Sequence, residues 1–414
     1  MSARVFYNER TMLGFNKSDR GASLSVIVDV GAGSVAAALA LFREKQSMPE
    51  ILMSAREPIH VKHTSTPVGR ARAMQHALTT VLKAVAVEVA PLSTQYKIRT
   101  PVSRIFISCT APWAQTVTQI IHFEPEHPFT ITRELVDDII RHAEERTKDA
   151  YKKGRARSGH GPDMHTVEQS VINITANGYP IADPYGHDAL EIDVAYLRGL
   201  ITERAIDTFE EVTERVFPHS TPYPHTAALV EYCVLRDLYP KVSNALIIDI
   251  SGGATELSVM QQHILYESHA VLYGVHALIR DIADSAHVPA EEAALYARSF
   301  AQELLTKKQE AILEKAQQRY IATLERAIRE ITSRYALPRT VFIICEEEMS
   351  VFFTEACAHA LTGKGGHKDK TLIPIGPHNT HDLVLWKEGT VPDTRLALTA
   401  RFFHKLHACG EIDN

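Results

Sequence analysis

Apolar residues recur along the chain with two different spacings, and turn-forming residues separate the segments. Short runs of β-branched residues predict strands, and apolar residues at helical spacing predict helices. The predicted strands are 25–30, 104–109, 117–123, 169–175, 189–195, 245–250, 256–260 and 340–345, and the predicted helices are 70–90, 133–148, 198–216, 225–238, 349–361 and 394–407. Strands interspersed with helices indicate an α/β protein.

Other segments are less regular. Residues 35–42 are rich in alanine and fit either the second arm of a hairpin or a helix, and periodicity does not decide between them. Residues 281–335 are predicted to be almost wholly helical. Within them, 301–335 fit a helix with one packed face and one charged face, and the charged face is either exposed to solvent or binds a partner. The basic, glycine-containing segments 151–166 and 364–370 are predicted to be solvated loops, with RNA contact as the alternative for the first.

Composition narrows the class of protein. The 414 residues exceed what one core usually serves, so two lobes or several subdomains are expected. Hydrophobic residues make up 45% and charged residues 23%, and the net charge of -6 argues against nucleic acid as the main partner. The five cysteines are scattered without a C-x-x-C pair, which favours a reduced cytosolic compartment over disulfides or a zinc site. The N-terminus lacks the apolar core of a signal peptide, and we expect no membrane span.

Two distant segments share one pattern, in which an apolar strand ends near an aspartate and a small or glycine-rich turn leads into a second strand-like run. They read VIVDVGAGSVAAAL and LIIDISGGATELSV. The residues that this pattern marks as cofactor-binding are Asp29, Gly31, Gly33 and Ser34 in the first segment and Asp249, Ser251, Gly252, Gly253 and Thr255 in the second.

The chemistry of these residues suits a polyphosphate. Glycines let backbone N–H groups crowd around phosphate oxygens, and serine and threonine hydroxyls add donors. Aspartates at the strand ends, Asp29 and Asp249, could hold Mg²⁺ through water molecules, because Mg²⁺ keeps several of its waters. One such turn is usually an ordinary hairpin, but two in the same order predict a nucleotide clamped between two lobes.

These motifs resemble those of the actin–Hsp70–sugar kinase superfamily. DVGAGS and DISGGATELSV are similar to its two phosphate motifs, and PHTAALVEYCVL (224–235) is similar to its connecting helix. The branch that the chain resembles is FtsA and PilM. Three segments carry this resemblance: residues 103–145, which begin SRIFISCTAPWAQTVTQIIHF, then NGYPIADPYGHDALEIDV (177–194), and YGVHALIRDIADSAHVPAEEAALY (273–296). The resemblance implies an actin-like two-lobed fold with duplicated ribonuclease-H-like cores and an FtsA-type 1C insertion.

The resemblance also implies a division into subdomains. The 1C-like insertion is expected to be a separate small α/β unit placed as in FtsA, rather than a lid over the cleft as in Hsp70 and actin. The expected units are an N-terminal tail 1–24, subdomain 1A at 25–114 and 197–240, the 1C-like insertion 115–196, subdomain 2A at 241–280 and 339–408, helical subdomain 2B at 281–338, and a C-terminal tail 409–414.

The sequence departs from the family pattern in three places. The family's adenosine motif is a strand followed by glycines, whereas strand TVFIIC here runs into Glu346, Glu347 and Glu348. The first hairpin has Val35 and Ala36 where some relatives carry a lysine, and Glu256 stands where FtsA often has aspartate. These changes imply that ATP and Mg²⁺ bind weakly and that hydrolysis is slow or absent.

Two further features have competing interpretations. Glu231 on the connecting helix is a candidate catalytic residue that could orient water, or it is an exposed helical glutamate. Residues 393–408 carry Leu396, Phe402 and Phe403 beside basic residues and could be an amphipathic membrane anchor, but the final core helix of the nucleotide lobe is favoured.

The function implied by the resemblance is a cytoplasmic, ATP-binding scaffold at the inner face of the membrane. Its partner would be a divisome filament protein or a pilus inner-membrane protein, with a homo-oligomer or filament as a further form and with indirect membrane association. The alternatives are a sugar or acetate kinase with the same core, and a pseudo-ATPase scaffold that binds no nucleotide. As an enzyme, the protein would be at most a slow ATPase.

Overall fold

The computed structural model describes residues 6–7, 22–43, 46–59, 66–99, 102–158, 164–181, 183–300, 305–362 and 370–408. Most of the predicted tail 1–24, nearly all of the predicted loop 364–370 and the whole predicted tail 409–414 lie outside these ranges.

The described part contains eighteen strands and ten α-helices. The strands are β1 Phe6–Tyr7, β2 Ser23–Val30, β3 Ser34–Phe42, β4 Glu50–Pro58, β5 Arg104–Cys109, β6 Ala114–Phe123, β7 Phe129–Thr130, β8 Met164–Ala176, β9 Tyr179–Pro180, β10 Asp188–Ala189, β11 Ile192–Thr202, β12 Thr221–Thr226, β13 Ala245–Ile250, β14 Thr255–Gln261, β15 Ile264–Val271, β16 Thr340–Ile344, β17 Thr371–Ile375 and β18 Leu385–Trp386. The helices are α1 Pro67–Tyr96, α2 Arg133–Ser158, α3 Glu203–Val216, α4 Ala227–Leu238, α5 Val275–Ala286, α6 Ala290–Arg298, α7 Lys307–Thr332, α8 Ser350–Thr362, α9 Pro377–Thr380 and α10 Thr394–Ala408, with a short 3₁₀ helix at Glu347–Met349.

The same five-stranded arrangement occurs twice. In the first lobe the order is β4-β3-β2-β5-β12, and in the second it is β15-β14-β13-β16-β17. In each lobe the first three strands pair antiparallel and the last two join in parallel. This duplication, together with the helices between the strands, gives the two-lobed α/β fold that the sequence predicts.

A small antiparallel sheet of β8, β11 and β6 extends the sheet of the second lobe. Strand β6 meets β15 through the Val117–Glu267 pair, and the Thr118 hydroxyl donates to the carbonyl of Leu265 at 2.6 Å. Helix α2 packs on one face of this small sheet, which has its own apolar core. The placement of residues 115–196 as in FtsA stays a prediction.

Helices α4 and α10 pack together beside the first sheet. Phe403 of α10 stacks on Phe106 of β5 with ring centroids 4.4 Å apart, and Leu396 and Phe402 are also buried. The apolar face of α10 is therefore part of the protein core, as the favoured interpretation of this segment holds.

Helix α1 is a core helix of the first lobe. It begins at a Thr66 cap, whose side chain accepts from the amide of Gly69 at 3.0 Å. Leu78 and Leu82 pack on the first sheet. In the described part of the chain, α1 alone is long and apolar enough to cross a membrane, with a mean hydropathy of 1.3 over its most apolar window. A packed core helix has the same length and composition.

Two predicted boundaries were wrong. Residues 151–158 continue helix α2 instead of forming a loop, because lysine, arginine and alanine are strong helix formers and the single Gly154 costs only about 1 kcal/mol. Residues 198–202 are the end of strand β11, not the start of a helix. Residues 198–201 pair with both β6 and β8, Thr202 pairs with β8, and helix α3 begins only at Glu203.

A buried carboxyl lies where the small sheet meets the first lobe. Glu168 of β8 faces Gly199, where an added Cβ would lie 2.0 Å from the Glu168 Oε1 atom, and it accepts hydrogen bonds from the Thr226 hydroxyl and from the Thr226 amide, the latter at 3.3 Å. Burial raises the pKa of Glu168 to about 8, although these hydrogen bonds act in the opposite direction.

We expect Glu168 to make stability fall as the pH rises. Between its ordinary value of 4.5 and the raised pKa of about 8, the folded state holds a proton that the unfolded state has released. One unit of pKa difference corresponds to about 1.4 kcal/mol. When the pH is raised from about 5 to about 9, the free energy of unfolding of Glu168→Gln should therefore increase by ~2 kcal/mol or more relative to that of the wild type. Urea unfolding at both pH values measures this difference, with the exposed Glu210→Gln as control. An equal pH response of the two variants would contradict it.

Candidate functional site

Both aspartate-containing segments form β-hairpins, as predicted. Asp29 of β2 lies opposite Ala36 of β3, and Asp249 of β13 lies opposite Glu256 of β14. Residues 34–42 are strand β3, which decides between the two structures that fitted this alanine-rich segment. The turns that follow the two aspartates leave the two sheets at the same junction between the lobes.

The two turns touch each other through their backbones. A Cβ added to Gly33 would lie 2.7 Å from the Cα of Gly252, and a Cβ added to Gly252 would lie 2.2 Å from the Cα of Gly33. A Cβ at Gly253 would lie 2.5 Å from the Cβ of Ala32. These glycines are therefore needed for close contact between the lobes, and in this structure no gap separates them where the two turns meet.

Asp29 is buried and paired with an arginine. Its Oδ2 atom lies 3.2 Å from Nη2 of Arg56 on β4, and the same guanidinium contacts Asp393 at 2.7 Å. A further nitrogen of Arg56 donates to the hydroxyl of Ser34. The first predicted metal ligand and the first predicted phosphate-binding hydroxyl are thus both bonded to one guanidinium.

Asp249 is paired in the same way. Arg395 on α10 contacts the Oδ1 atom of Asp249, donates to the carbonyl of Ile250 at 3.1 Å, and lies 3.6 Å from Oε1 of Glu231 on α4. Both carboxylate side chains are almost fully buried, with 4% of Asp249 and 6% of Glu231 exposed. Arg395 therefore connects α10 and α4 to the strand end of the second lobe.

The hydroxyls predicted to bind phosphate in the second hairpin are also bonded within the protein. Ser251 donates to the carbonyl of Ala254 at 3.1 Å, and Thr255 donates to the carbonyl of Tyr273 at 2.8 Å. The amide of Gly31 donates to the carbonyl of Ser34 at 3.0 Å. These bonds shape the two turns.

The junction concentrates buried acidic groups. Burial raises the pKa of Asp29, although Arg56 and Arg395 act against the shift. Burial, together with Asp249, raises the pKa of Glu231 far above its ordinary value, and burial raises that of Glu256 to about 7. Glu231 is thus an interior residue, which excludes the exposed-glutamate interpretation. Its predicted role in orienting water stays a prediction.

The three glutamates after β16 lie at the surface. Glu346, Glu347 and Glu348 lead through the 3₁₀ helix into α8. Arg298 at the end of α6 lies 2.8 Å from Glu348 and 4.0 Å from Glu346. The acidic run thus has a basic partner, and it stands where the resemblance places an adenosine-binding glycine motif.

Magnesium-bound ATP does not fit this arrangement of residues. The two aspartates that would hold the ion are neutralised by Arg56 and Arg395, and the turns that would cradle the phosphates are in contact. Neither arginine was identified from the sequence as part of the site. Arg56 lies on strand β4, which the sequence analysis did not identify, and Arg395 was assigned to the basic side of the last helix.

Gly274 is another residue that the sequence analysis missed. It begins α5, and a Cβ at this position would lie 2.3 Å from the carbonyl oxygen of Ser251. The second hairpin turn thus packs directly on the start of a helix. The glycine within YGVHALIRDI was the available signal, since a glycine before a helix often permits a close backbone approach.

Comparison with known proteins supports the fold. No protein-family model matches the chain, and no curated protein matches it in sequence. Among solved structures, it is similar to the PilM–PilN type IV pilus biogenesis complex at 11% sequence identity, covering 93% of this chain and 96% of that chain with a TM-score of 0.54. A similarity to the ethanolamine utilization protein EutJ from Carboxydothermus hydrogenoformans, at 11% identity, 93% and 92% coverage and a TM-score of 0.46, adds no argument.

Fold and junction together define an actin-like, two-lobed α/β protein with paired hairpins at the lobe interface. Within that class, the chain has a PilM-like fold over nearly its whole length.

The contact between the turns predicts a strong effect of a single methyl group. We expect Gly252→Ala to lower the free energy of unfolding by about 1–3 kcal/mol, because its Cβ would overlap the backbone of Gly33 rather than a movable side chain. Gly376→Ala is the matched control, since its Cβ would meet only the imidazole of His378 at 3.3 Å. Chemical denaturation of both variants measures the difference. Equal losses of free energy of unfolding would contradict the prediction, because they would show that the two turns can move apart without cost.

Proposed function

We propose that this protein is a PilM-like assembly scaffold that binds a pilus-type inner-membrane protein at the cytoplasmic face of the membrane. The observation that carries the proposal is the PilM-like fold over 93% of the chain. The structure of similar fold is a complex of PilM with PilN, and we extend to this chain the idea of a pilus-type partner.

The junction between the lobes favours a scaffold over a kinase. A kinase of this superfamily needs a substrate pocket between the lobes and a carboxylate that is free to act on the transferred group. In this chain the turns are in contact, Asp249 is paired with Arg395, and Glu231 is buried with a pKa raised well above its ordinary value. The chemistry of the junction suits a fixed connection between the lobes.

We place the partner site on the small sheet of β8, β11 and β6, which corresponds to the proposed 1C-like insertion 115–196. One face of this sheet shares an apolar core with α2, which supports treating these elements as one binding surface. Two large apolar side chains at one end are exposed, Tyr179 by 75% and Leu190 by 60%. The side chain of Asn177 accepts a hydrogen bond from the amide of Leu190 at 2.8 Å, and so it links the turn before Tyr179 to the segment that carries Leu190. We infer from this link that the two side chains belong to one apolar patch, and such patches are typical of interaction sites.

The experiment is a binding titration of the purified full chain with the cytoplasmic segment of a pilus inner-membrane protein from the same organism. We expect saturable binding that is the same with and without ATP and Mg²⁺. Tyr179→Asp combined with Leu190→Asp should weaken it at least tenfold, because two charges would enter the apolar contact.

The control is Val391→Asp, which changes an equally exposed apolar residue elsewhere in the chain. Binding of a divisome filament tail instead of the pilus segment would favour the division alternative. Phosphate transfer to a sugar or to acetate would contradict the scaffold and support a kinase.

A further inference from the structure

The two arginines at the junction belong to elements that are far apart in the chain. Arg56 lies on β4 of the first sheet, and Arg395 lies on the last helix, α10. Helix α10 packs on the first lobe, where Phe403 stacks on Phe106. Asp249 is the next-to-last residue of the central strand of the second lobe. The contact between Arg395 and Asp249 therefore joins the two lobes directly.

Arg56 positions the element that carries Arg395. Its Nε atom donates to Oδ2 of Asp393 at 2.8 Å. Asp393 in turn accepts from the amide of Leu396 at 3.1 Å through its other carboxylate oxygen, as an N-cap residue of α10 does. Because Arg56 also pairs with Asp29, ion pairs connect the first hairpin to the start of α10, and Arg395 follows Asp393 by two residues on that helix.

We propose that Arg56 and Arg395 form an internal ionic latch that holds the two lobes closed without nucleotide, in the place where the fold would otherwise take a magnesium-bound triphosphate. The proposal deepens the scaffold function given above, and rests on it only for its biological meaning.

The charges of the junction support the latch. Two guanidinium groups carry the same total positive charge as one Mg²⁺ ion, and each is bonded to one of the two aspartates that would serve the ion. Buried carboxylates require such partners, and a carboxylate left behind after loss of its partner is strongly destabilising. A cation should be able to replace a missing guanidinium, whereas in the intact latch the charge of each aspartate is already met by an arginine.

The test uses the full chain with Arg395→Met, which removes the charge and keeps much of the volume. Thermal unfolding is recorded with and without millimolar MgCl₂, and small-angle scattering reports the separation of the lobes. We expect a lower melting temperature, a larger radius of gyration, and partial recovery of both on addition of Mg²⁺. The wild type should show no response to Mg²⁺ or to magnesium-bound ATP.

Arg236→Met is the matched control. Arg236 is a buried arginine at the end of α4 that contacts Asp237 and Tyr232 and neither hairpin. This variant should lose stability without gaining a response to Mg²⁺. Arg395→Lys keeps the charge but not the forked geometry, so its melting temperature and its Mg²⁺ response should fall between those of the wild type and Arg395→Met. This variant keeps the test decisive if Arg395→Met does not fold.

Two results would overturn the latch. One is an Mg²⁺ response of the Arg395 variants no larger than that of Arg236→Met. The other is stabilisation of the wild type by magnesium-bound ATP. Binding of the pilus segment is measured separately on the same samples, so that failure of the latch and failure of the scaffold function can be told apart.

Discussion

Two aspartates buried at the junction of the lobes require positive partners, and much of the structure around them meets that requirement. An unpaired carboxylate in a protein interior loses the solvation of its charge, so it either takes up a proton or acquires a counter-ion. Asp29 meets Arg56, Asp249 meets Arg395, and Glu231, which lies 3.6 Å from Arg395, has a strongly raised pKa. The duplicated fold brings these carboxylates together because each aspartate is the next-to-last residue of the central strand in its own copy of the five-stranded arrangement.

This pairing explains why the two lobes meet so closely. With both aspartates neutralised from within, the hairpin turns approach until the backbones of Gly33 and Gly252 touch. Residues that would serve a phosphate in an open cleft form contacts within the protein instead. Ser34 bonds to Arg56, and Thr255 bonds to the carbonyl of Tyr273. A scaffold gains from such a junction, because the relative position of its lobes then depends on its own side chains.

The sequence predicts the local elements of this structure better than its long-range pairs. A strand, an aspartate and a glycine turn are adjacent in the chain, so both hairpins could be recognised, and with them the actin-like fold. Arg56 lies in register with Asp29 on β4, but the sequence analysis did not identify that strand. Arg395 lies on the last helix, far along the chain from Asp249, and no local pattern links an arginine to such a partner. The extension of α2 through Gly154 was missed because one glycine and several basic residues also suit a loop. The acidic run at 346–348 is visible in the sequence, but its partner Arg298 comes from another helix and could not be predicted.

The central claim is that arginine side chains hold the junction that nucleotide and magnesium would otherwise hold. The most direct measurement is the nucleotide content of the purified protein, determined by chromatography after denaturation, both as isolated and after incubation with magnesium-bound ATP and rapid desalting. The account predicts far less than one nucleotide per chain in both samples. One adenine nucleotide per chain, retained through desalting, would contradict it.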